Sequence, residues 1–270
     1  MLRRESLGRS ELPLVSVVIP TYNAGRLLER AVQSADRQSY ANIEIIVVDD
    51  CSTDDSIHVI SEHFPSVRIV QTDTNSGSPA RPRNIGCSVA RGTWVSFLDS
   101  DDYWLPNKIE RQLATVNECS TLVCSTNAIR RTNELGETGG LYLPRSPRLT
   151  NVKSLIKANW IITSSILIEK NILNGVLPFP ENGPTIYEDY ALWLRLARIT
   201  ELTFLNEPLT VYSDEPQFSY RSQYVAHQTM QNTFDDFSNW SLNHGQKLTI
   251  AEWAECLYVK TRSRMHSMLN

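Results

Sequence analysis

Residues 94–102 have the sequence WVSFLDSDD, a short apolar run that leads directly into three acidic side chains. Its nearly continuous apolar character predicts a strand that is covered on both faces, as in a parallel sheet flanked by helices. The residues that follow such a strand lie at the carboxyl edge of the sheet, where doubly wound folds bind their ligands. We therefore expect Asp99, Asp101 and Asp102 to lie at a binding edge.

Three similar runs precede this one, and helix-like segments separate them. The predicted strands cover residues 15–19, 43–48, 67–70 and 94–98, and the predicted helices cover 25–38, 55–63 and 80–90. Strand–helix–strand units of these lengths favour right-handed crossovers. The sequence thus predicts an α/β fold with a doubly wound sheet.

The later chain is less regular. Helices are predicted over residues 106–117 and 187–199, β-like runs over 122–128, 161–169 and 204–212, and two more helical segments after residue 222. Pro208 within the last run predicts an edge strand or a break. We expect residues 1–213 to form one domain and residues 214–270 to form a lid loop and a C-terminal helical extension.

The composition excludes several classes of protein. The chain has 270 residues and a formal net charge of −4, without the basic surplus of nucleic-acid-binding proteins. No apolar run approaches the roughly 18 residues of a membrane span, and charges precede any apolar stretch at the N-terminus, unlike a secretory signal. The five cysteines are scattered, which favours reduced thiols and a cytoplasmic location.

Acidic residues dominate the predicted carboxyl edge, since Asp49 and Asp50 follow the second strand as well. Neither a G-x-G-x-x-G segment nor a P-loop is present to bind phosphate through backbone amides. A phosphate at this edge would need a bridging divalent cation, and Mg²⁺ and Mn²⁺ accept carboxylate and phosphate oxygens together. The alternative is structural, because such Asp side chains also stabilise turns and cap helices.

Several motifs, in this order, resemble the family 2 glycosyltransferases, which are inverting, nucleotide-sugar-dependent enzymes of the GT-A fold. The resemblance covers about residues 14–213 and rests on the segments VSVVIPTYN (15–23), VDDCSTD (48–54), ARPRNIG (80–86), FLDSDD (97–102), TSS (163–165) and EDYALWLR (188–195). It implies a GT-A fold, with a Rossmann-like mixed sheet flanked by helices.

The resemblance also implies roles for individual residues. Pro20, Tyr22 and Asn23 would line the nucleotide pocket, and Asp50 would accept a hydrogen bond from the base. Arg83 and Asn84 would lie beside the donor, while Asp99, Ser100 and Asp101 would meet the ribose and the diphosphate. Either Asp101 or Asp102 would ligate Mn²⁺ or Mg²⁺.

On the acceptor side, Asp189 is the proposed base that takes the proton of the incoming hydroxyl, with Glu188 as the fallback. The alternative is that both acids merely stabilise a helix N-terminus. Ser164 would face the acceptor, and Trp193 would either stack on a sugar ring or belong to the core.

The function implied is transfer of a sugar from a nucleoside-diphosphate sugar, UDP-linked by expectation, to a glycan or a lipid-linked acceptor in cell-surface polysaccharide synthesis. The alternatives are a catalytically degenerate nucleotide-sugar-binding partner subunit and a sugar nucleotidyltransferase-like enzyme.

Two features depart from the family pattern: Cys51 replaces a common glycine, and Ser213 follows Tyr212 where an arginine is frequent. Lys260, Arg262 and Arg264 indicate either a solvated helix face or peripheral contact with the inner face of the membrane.

Overall fold

The computed structural model describes residues 12–131, 138–145, 151–181, 187–213 and 226–269. The strands are β1 (Val15–Thr21), β2 (Ile43–Asp49), β3 (Arg68–Gln71), β4 (Trp94–Phe97), β5 (Tyr103–Trp104), β6 (Val123–Arg131), β7 (Thr138–Leu141), β8 (Ile166–Glu169) and β9 (Thr203–Ser213). The α-helices are α1 (Arg26–Asp36), α2 (Ser56–His63), α3 (Ala80–Val89), α4 (Lys108–Cys119), α5 (Val152–Lys157), α6 (Lys170–Asn174), α7 (Glu188–Ile199), α8 (Ala226–Asn243) and α9 (Ile250–Leu269). The mixed α/β architecture confirms the predicted fold class.

The described strands form one mixed sheet in the order β3-β2-β1-β4-β8-β6-β9-β5, and β7 pairs with β6. The first four strands run parallel, as the sequence predicts. Strand β8 is antiparallel to both β4 and β6, while β9 runs parallel to β6. The carboxyl ends of β1, β2 and β4 therefore meet at one edge, and the carboxyl ends of β6 and β9 lie together further along the sheet.

Both faces of the sheet are covered, which explains the continuous apolar character of its first strands. Val15, Val17 and Ile19 of β1 pack on the face covered by α1, α2 and α4. The alternate residue Val18 packs on the opposite face, where α3, α5, α7, α8 and α9 lie. Phe234, Phe237 and Trp240 of α8 join this second core cluster, so the C-terminal helices pack directly on the sheet domain.

Two local predictions need correction. Residues 161–165 are not a strand, because Thr163–Ser165 form a 3-10 turn before β8 begins at Ile166. Strand β9 is not an edge, since it pairs with both β6 and β5. The predicted break at Pro208 is correct, because the register of β9 against β6 shifts between Leu205 and Pro208.

Helix α3 approaches the sheet closely at Gly86. A Cβ atom at this position would lie 2.3 Å from Cγ1 of Val18, well inside van der Waals contact. Glycine is therefore the residue that allows α3 to rest directly on β1.

Some predictions fall outside the described residues. The predicted lid loop at 214–222 lies there. The side chains of Arg262 and Arg264, for which we predict either a solvated helix face or membrane contact, lie there as well. Within the described part of the chain, no helix combines the length and the hydropathy that a membrane span requires.

Candidate active site

The carboxyl edge of the parallel strands holds Asp49 and Asp50, both of which are buried. Asp49 accepts hydrogen bonds from the Ser52 backbone at 3.0 Å and from the Gln71 side chain at 3.1 Å. Oδ2 of Asp50 accepts two bonds from Ser76, both of 2.8 Å, and its Oδ1 accepts one from Oγ1 of Thr72 at 3.0 Å. Both acids thus have the loop-stabilising role of the structural alternative, and Oδ1 of Asp50, which accepts one bond, retains a free lone pair.

The loop after β1 is joined to the loop after β2. Oδ1 of Asn23 accepts a bond from the Thr53 backbone at 2.7 Å, and the Asn23 backbone donates to Oγ of Ser52 at 2.9 Å. Asn23 and Cys51 both have a left-handed backbone, with φ of 48° and 66°. Non-glycine residues in this conformation are strained, and such strain is concentrated at functional sites. Tyr22, on the same loop, is exposed, while Pro20 is buried within β1.

The segment after β4 is held by Ser164. The Asp99 backbone donates to Oγ of Ser164 at 3.0 Å, and the same hydroxyl donates to Oδ2 of Asp102 at 2.5 Å. Oδ1 of Asp102 accepts a further bond from the Ser213 backbone at 2.8 Å. Both carboxylate oxygens of Asp102 are therefore engaged within the protein, and its side chain is buried.

Asp101 is the freer of the two predicted metal ligands. Burial, followed by repulsion from Asp99, raises the pKa of Asp101 to about 6, although Arg30 and Arg131 oppose the shift. A carboxylate whose charge is opposed by burial and by a neighbouring acid gains stability from an added cation. The donor set therefore fits a divalent metal at Asp101. Among the described residues, however, no three His, Cys, Asp or Glu side chains are grouped as a self-sufficient metal site.

Arg83 links the two acidic segments. Its side chain is only 4% exposed, and it donates to Oδ1 of Asp99 at 2.7 Å and to Oε1 of Glu188 at 2.8 Å. Its guanidinium carbon also lies 5.6 Å from the centre of the Phe179 ring. Burial opposes the charge of Arg83, but Asp99 and Glu188 raise its pKa overall. The guanidinium thus connects the loop after β4 to the first turn of α7.

Asn84 makes a different set of contacts. Its amide donates to the Phe179 carbonyl at 3.0 Å and to Oε1 of Glu181 at 2.7 Å, while its Oδ1 accepts from the Phe179 backbone at 2.8 Å. These bonds hold the segment that precedes α7 against α3.

The two acids that begin α7 have different environments. Glu188 is engaged by Arg83, and burial, followed by Asp189, raises its pKa. Asp189 is half-buried, and its Oδ2 accepts a bond from Oγ1 of Thr163 at 3.0 Å. Its Oδ1 accepts a second bond from the Tyr190 backbone at 2.6 Å. Both acids are therefore held by the protein, Glu188 through an ion pair and Asp189 through two neutral donors.

Neither of the two predicted acceptor-side residues reaches solvent. Ser164 and Trp193 are both fully buried. The Trp193 ring packs against Phe97 and Phe179, with centroid distances of 6.3 and 6.0 Å. Trp193 therefore belongs to the core, which was the alternative to stacking on a sugar ring. Ser164 contacts the acidic segment after β4. Ser100 is half-buried on that segment.

Two arginines near Asp101 were not predicted. Arg30 of α1 donates to the Asp101 carbonyl at 2.6 Å and lies 4.8 Å from the centre of the Tyr103 ring. Arg131 at the end of β6 is buried and donates to Oγ of Ser213 at 2.7 Å, and that hydroxyl donates to the same carbonyl at 2.6 Å. The sequence contains no motif for either residue, because α1 and β6 meet this segment only in the folded chain.

Lys108 was also not predicted as a core residue. It is fully buried, and its Nζ donates to Oε1 of Gln112 at 2.8 Å and to Oγ of Ser96 at 3.2 Å. The same nitrogen lies 4.0 Å from the centre of the Trp104 ring, whose Nε1 donates to the Ser164 carbonyl at 2.7 Å. Burial lowers the pKa of Lys108 well below its ordinary value. The buried amine of Lys108 therefore supports the residues behind the acidic segment.

The sequence is similar to those of known glycosyltransferases. An uncharacterized glycosyltransferase of Haemophilus influenzae is 33% identical over 186 residues, which are 68% of this chain and 71% of that relative. The Escherichia coli enzyme WfgD, named as a UDP-Glc:alpha-D-GlcNAc-diphosphoundecaprenol beta-1,3-glucosyltransferase, is 29% identical over 72% of this chain and 73% of its own length.

The fold is similar to that of Staphylococcus aureus TarS. A structure of TarS residues 1–349 in complex with UDP-GlcNAc matches with a TM-score of 0.65 at 20% identity, over 83% of this chain. The chain spans 66% of that structure's length. This likeness supports the GT-A fold.

The family model described as Glycosyl transferase family 2 matches residues 16–173, which is more than half of the chain. The matched region contains the strands β1, β2 and β4 and the acidic segment after β4. The chain therefore belongs to glycosyl transferase family 2 and is a glycosyltransferase.

Proposed function

We propose that this glycosyltransferase transfers one sugar, with inversion, from a metal-bound UDP-sugar to a hydroxyl of a glycan or a lipid-linked acceptor in cell-surface polysaccharide synthesis. The names of its relatives support this choice of substrates. WfgD is named for UDP-Glc and a diphosphoundecaprenol-linked sugar, and a Bacillus subtilis relative is named as a putative teichuronic acid biosynthesis glycosyltransferase.

The observation that carries the proposal is the bridge formed by Arg83. It binds Asp99, two residues before Asp101, and Glu188, one residue before Asp189. The segment with the proposed diphosphate-binding group and the segment with the proposed base would thereby be joined by one guanidinium. Such a connection would help to hold donor and acceptor in the relative orientation that displacement at the anomeric carbon requires.

On the donor side, Asp50 would accept a hydrogen bond from the base through the free lone pair of Oδ1, and the exposed Tyr22 would cover the base. Asp101 would hold Mn²⁺ or Mg²⁺. Such a cation, when bound, stabilises the negative charge that develops on the departing diphosphate. A single protein carboxylate is compatible with this role, because these ions commonly take their remaining ligands from phosphate and water.

On the acceptor side, Asp189 would be the base. Its carboxylate is half-buried, and its two oxygens accept bonds from Thr163 and from the Tyr190 backbone, which are both neutral donors. Glu188, by contrast, is held in the buried ion pair with Arg83, so its carboxylate is less free to approach an acceptor hydroxyl. A lipid-linked acceptor would bring the chain to the cytoplasmic face of a membrane, with which it would make peripheral contact.

The proposal is tested by thermal-shift measurements with UDP, GDP, UDP-Glc and UDP-GlcNAc, each with and without Mn²⁺. Selective binding to the folded chain raises the melting temperature by mass action. We expect the uridine compounds to stabilise the chain more strongly when Mn²⁺ is present. Stabilisation by none of the four, in either condition, would rule out the proposed donor site.

A further inference from the structure

Large apolar side chains are exposed along one side of α9. Eleven large apolar side chains are exposed in the described part of the chain. Four of them lie in one nine-residue stretch of α9: Ile250 (89%), Trp253 (59%), Leu257 (48%) and Tyr258 (60%). Their spacing of three, four and one residues places them on one side of the helix. We call these four residues the α9 apolar face.

The opposite side of α9 attaches the helix to the protein. Glu252 is buried and accepts a bond from Nη1 of Arg198 at 3.0 Å, Cys256 belongs to the second core cluster, and Val259 packs against that cluster. In addition, Nζ of Lys260 lies 2.5 Å from Oδ1 of Asp235. The helix thus has one buried side and leaves four large apolar side chains exposed on the other. Exposed apolar side chains grouped in this way mark an interaction site.

The charges in the sequence of α9 indicate the kind of partner. From Cys256 to Asn270 the chain contains Lys260, Arg262 and Arg264 but no Asp or Glu. Basic residues combined with Trp, Tyr and Leu on an apolar face are typical of helices that lie in the interface of an anionic bilayer. A basic sequence near such a face complements the negative potential of anionic lipids.

We propose that the α9 apolar face docks the protein on the surface of an anionic lipid bilayer. Trp253 and Leu257 enter the boundary between headgroups and acyl chains, and the basic residues interact with the lipid phosphates. This inference rests on the proposed function, because a lipid-linked acceptor is the reason to expect a membrane as the partner. The docking itself requires neither nucleotide nor acceptor.

The test is co-sedimentation of the full chain with vesicles of phosphatidylglycerol and phosphatidylcholine, compared with vesicles of phosphatidylcholine alone. We expect binding to the anionic vesicles at low salt, and loss of about tenfold in affinity for the double variant Trp253→Glu/Leu257→Glu. Leu12→Glu is the matched control, because Leu12 is 57% exposed but lies far from α9 in sequence. Circular dichroism and the melting temperature without nucleotide verify that each variant is folded.

A second variant tests the electrostatic part separately. Arg262→Gln/Arg264→Gln should reduce binding to anionic vesicles and weaken its salt dependence, since salt screens the attraction between basic residues and anionic lipids. Unchanged vesicle binding by the Trp253/Leu257 variant would overturn the proposal. A wild-type dimer in analytical ultracentrifugation that this variant dissociates, without any vesicle binding, would assign the face to a second copy of the chain. Failure of the nucleotide thermal shift alone would count against the proposed function and leave the docking surface unaffected.

Discussion

Nη1 of Arg83 in α3 lies 2.8 Å from Oε1 of Glu188, which begins α7 and follows Arg83 by 105 residues in the chain. This ion pair, with the second one to Asp99, joins two separate parts of the candidate site through a buried side chain. The roles that we predict for the neighbouring acids depend on this connection.

Arg83→Ala should destabilise the fold, because it leaves the Asp99 and Glu188 carboxylates without their shared cation. Loss of one partner of a buried ion pair typically lowers the free energy of unfolding by about 3–5 kcal/mol. Denaturant unfolding measures the change. Arg111→Ala is the control, since Arg111 and its partner Glu207 are 45% and 35% exposed and an exposed pair contributes less than about 1 kcal/mol. Equal losses in the two variants would contradict a buried bridge.

Asp189→Asn should abolish most of the transfer without weakening donor binding. Removing a general base typically lowers the rate by a factor of about 10² to 10⁴, and Asn retains the size of the side chain. Release of UDP from a UDP-sugar in the presence of acceptor measures kcat, and the thermal shift measures donor binding. Glu188→Gln is the comparison variant. If it loses more activity than Asp189→Asn while remaining folded, the base is Glu188.

Asp101→Ala should remove the Mn²⁺-dependent part of the thermal shift produced by UDP. The reason is that Asp101 has the freer carboxylate, whereas both oxygens of Asp102 are engaged by Ser164 and Ser213. Asp36→Ala is the control, because Asp36 is an exposed acid at the end of α1. A shift that depends on Mn²⁺ as strongly as in the wild type would assign the metal elsewhere.

Lys108→Met should change how stability depends on pH. Burial lowers the pKa of Lys108 in the folded chain, so unfolding takes up a proton at pH values between the folded and the unfolded pKa. The wild type therefore gains stability relative to the variant as the pH rises toward about 10.4, by at most about 1.4 kcal/mol per pH unit. Denaturant unfolding between pH 7 and pH 10 measures this difference. Lys247→Met is the control variant, because Lys247 is exposed, and it should show no such dependence of stability on pH.

The parallel half of the fold could be predicted because each strand there is a nearly continuous apolar run. The acids after β2 and β4 could be placed at one edge for the same reason, since topology fixes where strands end. The separate roles of these acids could not be predicted from the sequence. Asp49 stabilises its loop and Asp102 is held by Ser164, and both assignments depend on partners that the fold brings from distant positions.

The contacts of Arg83, Lys108 and Trp193 illustrate the same limit. A lysine at the first position of a predicted helix is ordinarily exposed, yet Lys108 is fully buried against Trp104. Trp193 follows Asp189 by four residues, but its ring belongs to the core between Phe97 and Phe179. Helical spacing identifies residues on a common side of a helix; it does not say which neighbouring element covers them.

The contact between Gly86 and Val18 limits how the sequence can vary. Arg83 precedes Gly86 by three residues, about one helical turn, on the same helix. A methyl group at position 86 would have to displace α3 from β1, and that displacement would carry the Arg83 guanidinium away from the loop after β4. The alignment of the acidic segment after β4 with the first turn of α7 is therefore set in part by a residue that has no side chain.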